Sequence, residues 1–365
     1  FIHKNFPAAY KKFHEKEHEY FMYIKRRLND QDLNLIKDSQ LEDLKLLKEP
    51  TRYYTCESLS QVIGLTDIDN QGLFGLEKFH NNTLAGSPTT YILEKDARSG
   101  QFYFQKEVSL EGTPGQKLIT TIDSDLQFIA EQELESCMEQ FESKEGQALI
   151  MDAQNGDILA MVNKPGFDIN DTKDIDLEKT KNKIVTDVHE LGSVIKIFLA
   201  LAALDENVVQ EEELIDCEGK KTTFVDHIKV NTWKAFGILS FKEVIHKSNN
   251  IGVVKVAKRL GPKLYDHYIK SGFGQKTGVD FQGEQSGFVN PPHNWSKQSL
   301  FSLSYGYEIT SSILQLARAV AMISNGGYLI RPRIILSDKQ PQKIGPIYSE
   351  TSLNRIRQII EKPGI

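Results

Sequence analysis

A serine and a lysine three residues apart, at the head of an apolar run, constrain this chain more than any other feature. The stretch reads Glu190-Leu191-Gly192-Ser193-Val194-Ile195-Lys196-Ile197-Phe198-Leu199-Ala200. Residues 196–204 contain no Gly or Pro and are rich in Leu and Ala, which predicts a buried helix. Positions i and i+3 share a helix face, so Lys196 lies one turn from Ser193 and within reach of its hydroxyl. A lysine in such a setting loses hydration of its charge, its pKa falls, and a neutral amine can take the serine proton. Gly192, which has no Cβ, lets a substrate backbone approach the serine. The competing reading is a helix-capping serine with a lysine in the first turn, and the tetrapeptide alone does not decide between them. No other Ser-x-x-Lys occurs in the chain, and an apolar helix is a costly place for a lysine.

At 365 residues the chain has room for two or three domains. Its 44 basic and 50 acidic residues leave a net charge of −6, which gives no sign of nucleic-acid binding. Cys56, Cys137 and Cys217 show neither metal-ligand spacing nor a disulfide framework. Cys137 falls at a helical core position and is expected to be a buried thiol. No apolar run of about 18 residues exists, so nothing here reads as a membrane span. The chain opens at Phe1 without Met, and the expectation is a fragment or processed chain whose N-terminal anchor lies outside it.

Residues up to about 47 are highly charged and read mostly as helix, over 8–28 and 30–37. Within them His14-Glu15-Lys16-Glu17-His18 matches the H-E-x-x-H zinc pattern. Its intervening residues are charged and nothing apolar would bury a site, so a solvated helix face is the better account. From 52 to 105 short apolar stretches alternate with Gly, Asp and Asn. Gly75-Leu76-Glu77-Lys78 precedes a short helix, and Lys95-Asp96-Ala97-Arg98-Ser99-Gly100 reads as a turn between strands. Near Pro114 a second domain begins. Residues 118–122 read as a strand, and Ser124 with Gln127 as a capping box. Leu126, Ile129, Ala130, Leu134, Cys137, Met138 and Phe141 then follow at helical spacing.

Two apolar stretches, 147–152 and 157–162, flank Asn155-Gly156, a strong hairpin signal. A helix beside antiparallel strands, followed by the buried helix after Ser193, argues for an α+β domain. Ser240 with Glu243 forms another capping box. The helix it opens runs into Lys247-Ser248-Asn249-Asn250-Ile251-Gly252, where polar residues interrupt the apolar pattern before a helix that ends at Gly261. Polar side chains at such a break suit a site wall: Ser248 can relay a proton, and Asn250 can grip an amide with both its donor and its acceptor. A helix junction with a serine cap explains the same residues. Residues 313–323 predict a helix stopped by Asn325-Gly326-Gly327. Residues 328–335 predict a strand in which Pro332 marks an edge or irregular position, and Leu353, Ile356, Ile359 and Ile360 mark a last helix.

In order along the chain stand Gly75-Leu76-Glu77-Lys78 with Lys95-Asp96; Thr121-Ile122-Asp123 through Gln127; Met151-Asp152-Ala153 with Gly156 and Ile158-Leu159-Ala160-Met161-Val162; Gly192-Ser193-x-x-Lys196; Ser248-x-Asn250; and Gln315-Leu316-Ala317 before Asn325-Gly326-Gly327. This series resembles the class B penicillin-binding proteins, the serine D,D-transpeptidases that crosslink peptidoglycan. Ser-x-Asn and the Gly-Leu-Glu-Lys segment make it more similar to the division (septal) branch than to the elongation branch. The resemblance implies an α+β multidomain chain. Its penicillin-binding transpeptidase domain, an antiparallel sheet with helices on both sides, spans 116–365. A smaller, elongated α/β pedestal domain precedes it over 1–115.

It further implies that Ser193 is the acylated nucleophile and Lys196 its general base. Ser248 passes the proton toward the leaving amine, and Asn250 binds the backbone of the donor stem peptide. The substrate would be a peptidoglycan stem peptide ending in D-Ala-D-Ala, β-lactams would acylate Ser193, and no metal or organic cofactor is needed. The implied location is the bacterial inner membrane, single-pass, with this portion periplasmic. A membrane glycan polymerase and division proteins are the implied partners.

Three departures from the family pattern stand out. Leu191 occupies the usual proline position before Gly-Ser. The Lys-Thr/Ser-Gly strand of the third motif does not arrive before Ile365, because Lys276-Thr277-Gly278 belongs to a segment outside the active site. That strand lines the oxyanion hole, where one lost donor costs roughly 3 kcal/mol, so the expectation is that further sequence supplies it. The anchor and first linker are also absent. The alternative functions are a catalytically weak scaffold or β-lactam receptor of the division machinery, and a β-lactamase, for which no deacylating carboxylate is assignable.

Overall fold

The Asn155-Gly156 turn closes a hairpin in which Gly146–Met151 and Ile158–Lys164 pair antiparallel, with Gly156 at φ +79°. The computed structural model describes residues 1–15, 22–41, 44, 46–49, 51–95, 102–171 and 175–361. Met151 pairs with Ile158 and Ile150 with Ala160, so Leu159 is an extra residue and the strand bulges there. The bulge puts Ile158 and Met161 on one face of the hairpin and Ala160 and Val162 on the other. Ala160 and Val162 pack on Leu126, Ala130 and Leu134 of the Ser124–Gln140 helix. Ile158 and Met161 pack on Ile184, Val185, Leu314 and Ile334. Helices therefore cover both faces of the strands, the layering expected of an α+β penicillin-binding fold.

Gln127 couples the Ser124–Gln140 helix to the bulged strand. Its amide oxygen accepts from Met161 N–H at 2.8 Å, and its NH₂ donates to Met161 O at 3.2 Å and Ser58 O at 3.0 Å. It is thus unavailable for the expected capping box with Ser124, and the cap is Asp123, whose carboxylate accepts from the amides of Asp125 and Leu126. Cys137 is exposed rather than buried, as are Ile129 and Phe141. The strands select the face that carries Leu126, Ala130 and Leu134, and these three residues fall on the other side.

The second core is built around the Lys196–Asp205 helix, in which every residue from Phe198 to Leu204 is fully buried. Its neighbours are Val253, Val256 and Ala257 of the Asn250–Leu260 helix, Leu264 and Tyr268 of the Lys263–Lys270 helix, and Leu353, Ile356 and Ile359 of the Glu350–Ile360 helix. Each buried Leu, Ile or Phe stabilises by roughly 1.5–3 kcal/mol, so this helix is the least movable part of the fold. Its C-terminus is closed by Arg355, whose guanidinium donates to Leu204 O at 2.9 Å and grips both Glu211 carboxylate oxygens at 2.6 and 2.9 Å.

The outer elements follow the sequence unevenly. The helices Asp30–Asp38, Ile313–Ser324 and Glu350–Ile360 form as expected. Thr90–Lys95 and Phe102–Leu110 pair antiparallel, and the expected turn at Asp96 to Gly100 lies outside the described residues. The helix expected over 8–28 is Pro7–Glu15. Residues 16–21, which include His18 of the H-E-x-x-H match, lie outside the described residues. Beyond them Arg27 turns the chain at φ +53°, and Arg26 and Arg27 bond to the carbonyls of Ile68 and Asp67. Residues 118–122 make a single bridge, Thr120 to Ile335, instead of a strand. Residues 328–335 are strand only at Leu329–Ile330, because Pro332 interrupts the ladder.

Arg355→Ala removes a bidentate, partly buried ion pair together with the helix cap. It is expected to lower the unfolding free energy by about 2 kcal/mol in a denaturant titration; a change under about 0.5 kcal/mol would show that the last helix holds the Lys196–Asp205 helix by apolar packing alone.

Candidate active site

Ser193 stands on a single 3₁₀ turn, Gly192–Ile195, that runs directly into the Lys196–Asp205 helix. The turn is held from two sides. His189–Glu190 pairs with Ile309–Ser311 in a three-stranded sheet with Phe288–Val289. Gly192 N–H then donates to Gly306 O at 3.2 Å. Gly306, at φ +95°, lies so close that a Cβ there would meet Gly192 O at 2.0 Å. Only glycine fits, and this contact fixes the residue before the serine. Ser193 itself is exposed, and its hydroxyl has no hydrogen-bond partner among the described residues.

Lys196 is 2% exposed, among the largest fully enclosed side chains of the fold. Its ammonium donates to Ser248 O at 2.9 Å, Ser248 Oγ at 2.9 Å and Asn250 Oδ1 at 2.6 Å. Burial nevertheless lowers its pKa to about 8, because three neutral acceptors do not replace bulk hydration of the charge. The expected contact between Lys196 and Ser193 is therefore not the one this structure shows. The amine is turned toward the second motif, and the serine hydroxyl stays free above it.

Ser248 and Asn250 come from a helix end fused to a helix start. The Phe241–His246 helix opens with the Ser240 and Glu243 capping box. It closes with Ser248 N–H on Ile245 O at 3.0 Å and Asn249 N–H on Val244 O at 2.9 Å. This is the Schellman pattern, and Ser248 holds the position after the cap, at φ +49°. Glycine is favoured there, and a serine costs about 1 kcal/mol. Asn249 immediately caps the Asn250–Leu260 helix, accepting from Gly252 N–H at 2.8 Å. Asn250 Oδ1 takes the Lys196 proton donor while its NH₂ donates to Asn231 O at 2.8 Å. One amide hydrogen and one lone pair remain for a ligand.

Of the four residues singled out in the sequence, Lys196, Ser248 and Asn250 are in direct contact, while Ser193 sits one turn earlier on the adjoining 3₁₀ turn and its hydroxyl bonds to none of them. Lys276-Thr277-Gly278 does different work. Thr277 N–H and Oγ1 and Gly278 N–H wrap the Glu284 carboxylate, Asp280 accepts from the amides of Ile334 and Ile335, and Val279 and Phe281 enter the hairpin core. Sequence reasoning missed Gly306 and the loop at Asn231. Gly306 lies between Tyr305 and Tyr307, a signal with no meaning until Gly192 is placed beside it.

An exposed serine one turn before a buried lysine on a two-sided α+β fold fits the penicillin-binding transpeptidase class, and comparison with known proteins shows the family. The penicillin-binding protein transpeptidase domain model matches residues 146–362, more than half of the chain, and the chain belongs to that family. It is 30% identical over 349 residues to the peptidoglycan D,D-transpeptidase FtsI of Buchnera aphidicola subsp. Schizaphis graminum, covering 94% of this chain and 60% of that protein. It is 29% identical over 347 residues to FtsI of Escherichia coli K12, covering 94% and 58%. The chain thus spans about three fifths of these curated relatives. The crystal structure of penicillin binding protein 3 from Mycobacterium tuberculosis, complexed with aztreonam, superposes with a TM-score of 0.71 at 26% identity, covering 85% of this chain and 68% of that one.

The Lys196 pKa is testable without any substrate. In the unfolded chain a lysine titrates near 10.4, above its folded value of about 8. Between these values the unfolded state binds more protons, so stability rises with pH across that window. The stability of the native protein relative to Lys196→Met is expected to rise by about 3 kcal/mol from about pH 7 to about pH 10.5. A pH-independent difference would place the pKa at its ordinary value.

Proposed function

We propose that the protein is a serine D,D-transpeptidase that crosslinks peptidoglycan stem peptides through an acyl-enzyme. The observation that carries this reading is the enclosed Lys196 amine, with a pKa of about 8, held against Ser248 Oγ one turn behind an exposed Ser193. Near neutral pH a fraction of Lys196 is the free amine, and as general base it takes the Ser193 proton. Hydrogen bonds of unliganded catalytic sites are often loose and close when substrate arrives. The serine oxygen attacks the carbonyl between the terminal D-alanines, and an ester forms. The C–N bond breaks, and the proton held by Lys196 returns through Ser248 to the departing D-alanine amine. An amine of a neighbouring strand then attacks the ester, the acyl C–O bond breaks as the new amide forms, and the proton lost by the amine returns to Ser193 Oγ. Asn250 offers its remaining amide hydrogen and lone pair to the donor peptide backbone. No step draws on a metal or organic cofactor.

The names of the FtsI relatives support a septal role, and the aztreonam complex of the mycobacterial neighbour supports β-lactams as acylating inhibitors. In this reading residues 1–115 form a pedestal and 116–365 the transpeptidase domain. The protein works on the outer side of the inner membrane, beside a glycan polymerase and division proteins. No helix among the described residues is long and apolar enough to cross a membrane.

The test is the rate of labelling by a fluorescent penicillin as a function of pH. The rate is expected to climb about tenfold per pH unit below about pH 8 and then level off, following the neutral amine. Ser193→Ala should abolish labelling with the fold retained. A rate that is flat across pH 8 would remove Lys196 as the base, and labelling that survives Ser193→Ala would remove Ser193 as the nucleophile.

A further inference from the structure

Ser248 occupies a backbone conformation that disfavours it, so something must hold the turn. On its inner side, the carbonyl of Ser248 accepts from Lys196. On its outer side, the peptide that precedes it is held by the Trp233 indole, whose N–H donates to Lys247 O at 2.8 Å. A peptide group is planar, so fixing the Lys247 oxygen also fixes the orientation of Ser248 N–H, and with Ser248 O held by Lys196 the peptide planes on both sides of Ser248 are restrained. Two further bonds come from the same loop: Asn250 Nδ2 to Asn231 O at 2.8 Å, and Asn249 Nδ2 to Thr232 Oγ1 at 3.4 Å. Three consecutive residues, Asn231, Thr232 and Trp233, thus strap Lys247, Asn249 and Asn250. Trp233 is 65% exposed, so its bond is not a by-product of core packing. Its ring is steadied edge-on by Phe236 at 5.9 Å and flanked by the Lys234 ammonium.

We propose that Trp233 is a positioning residue that holds Ser248 in register with Lys196 through the Lys247 carbonyl. The proposal rests on the transpeptidase reading above and makes the indole N–H, rather than the ring, the group that matters. Trp233→Phe keeps an aromatic ring and deletes the donor. With benzylpenicillin, the acylation rate constant and the dissociation constant of the preceding non-covalent complex are separated by rapid-quench mass spectrometry. Trp233→Phe is expected to lower the rate constant roughly tenfold and leave the dissociation constant unchanged, because water replaces the lost donor imperfectly. In a Ser248→Ala background the same change should alter the rate less than about twofold, since the group being positioned is gone. An equal loss in both backgrounds, or no loss in the native one, overturns the role of Trp233 while leaving the transpeptidase reading standing. If the unsubstituted protein is not acylated, both fall.

Discussion

The structure depends on one enclosed ammonium. Lys196 is placed by a helix whose residues from Phe198 to Leu204 are fully buried, and it meets three oxygens from a turn between two other helices. Each contact is modest, and together they do not restore the hydration the charge has lost, which is why the amine titrates near 8. A buried cation so poorly compensated makes the protein less stable than an apolar residue would. In the proposed function that cost is offset by chemistry, because the poorly hydrated amine is the general base.

Strain and close contact occur on the elements that frame the same amine. Ser248 sits at a left-handed position suited to glycine, and there its hydroxyl faces the amine. Gly306 touches the Gly192 backbone because the serine turn has to be pinned from outside the core. Arg355 closes the far end of the same helix, and half-buried Glu206 with buried His267 and Tyr348 form a hydrogen-bonded chain beside it. The end of the helix next to Ser193 is open to solvent and the other end is locked, so in the proposed function a substrate meets a rigid surface.

Much of this was legible before any coordinates. The apolar run after Ser193, the capping box at Ser240 and the Asn155-Gly156 turn are local signals, and the elements they predict are present. Ser193 and Lys196 were singled out because they share one helical turn, and Ser248 and Asn250 because they share one break; the structure brings Lys196, Ser248 and Asn250 into contact. What failed was non-local. Apolar residues lie on more than one face of the Ser124–Gln140 helix, and only the partner strands decide that Ala130 is buried and Cys137 exposed. The direction of the Lys196 side chain depended on a turn more than fifty residues away, and the strap at Trp233 on a loop whose sequence carries no motif.

Intact-protein mass spectrometry after incubation with a β-lactam, followed by peptide mapping, tests the central claim most directly. A single stable adduct of the antibiotic's mass on Ser193 is the predicted result. No adduct, or an adduct on another residue, would contradict the account and leave a scaffold built on a transpeptidase fold.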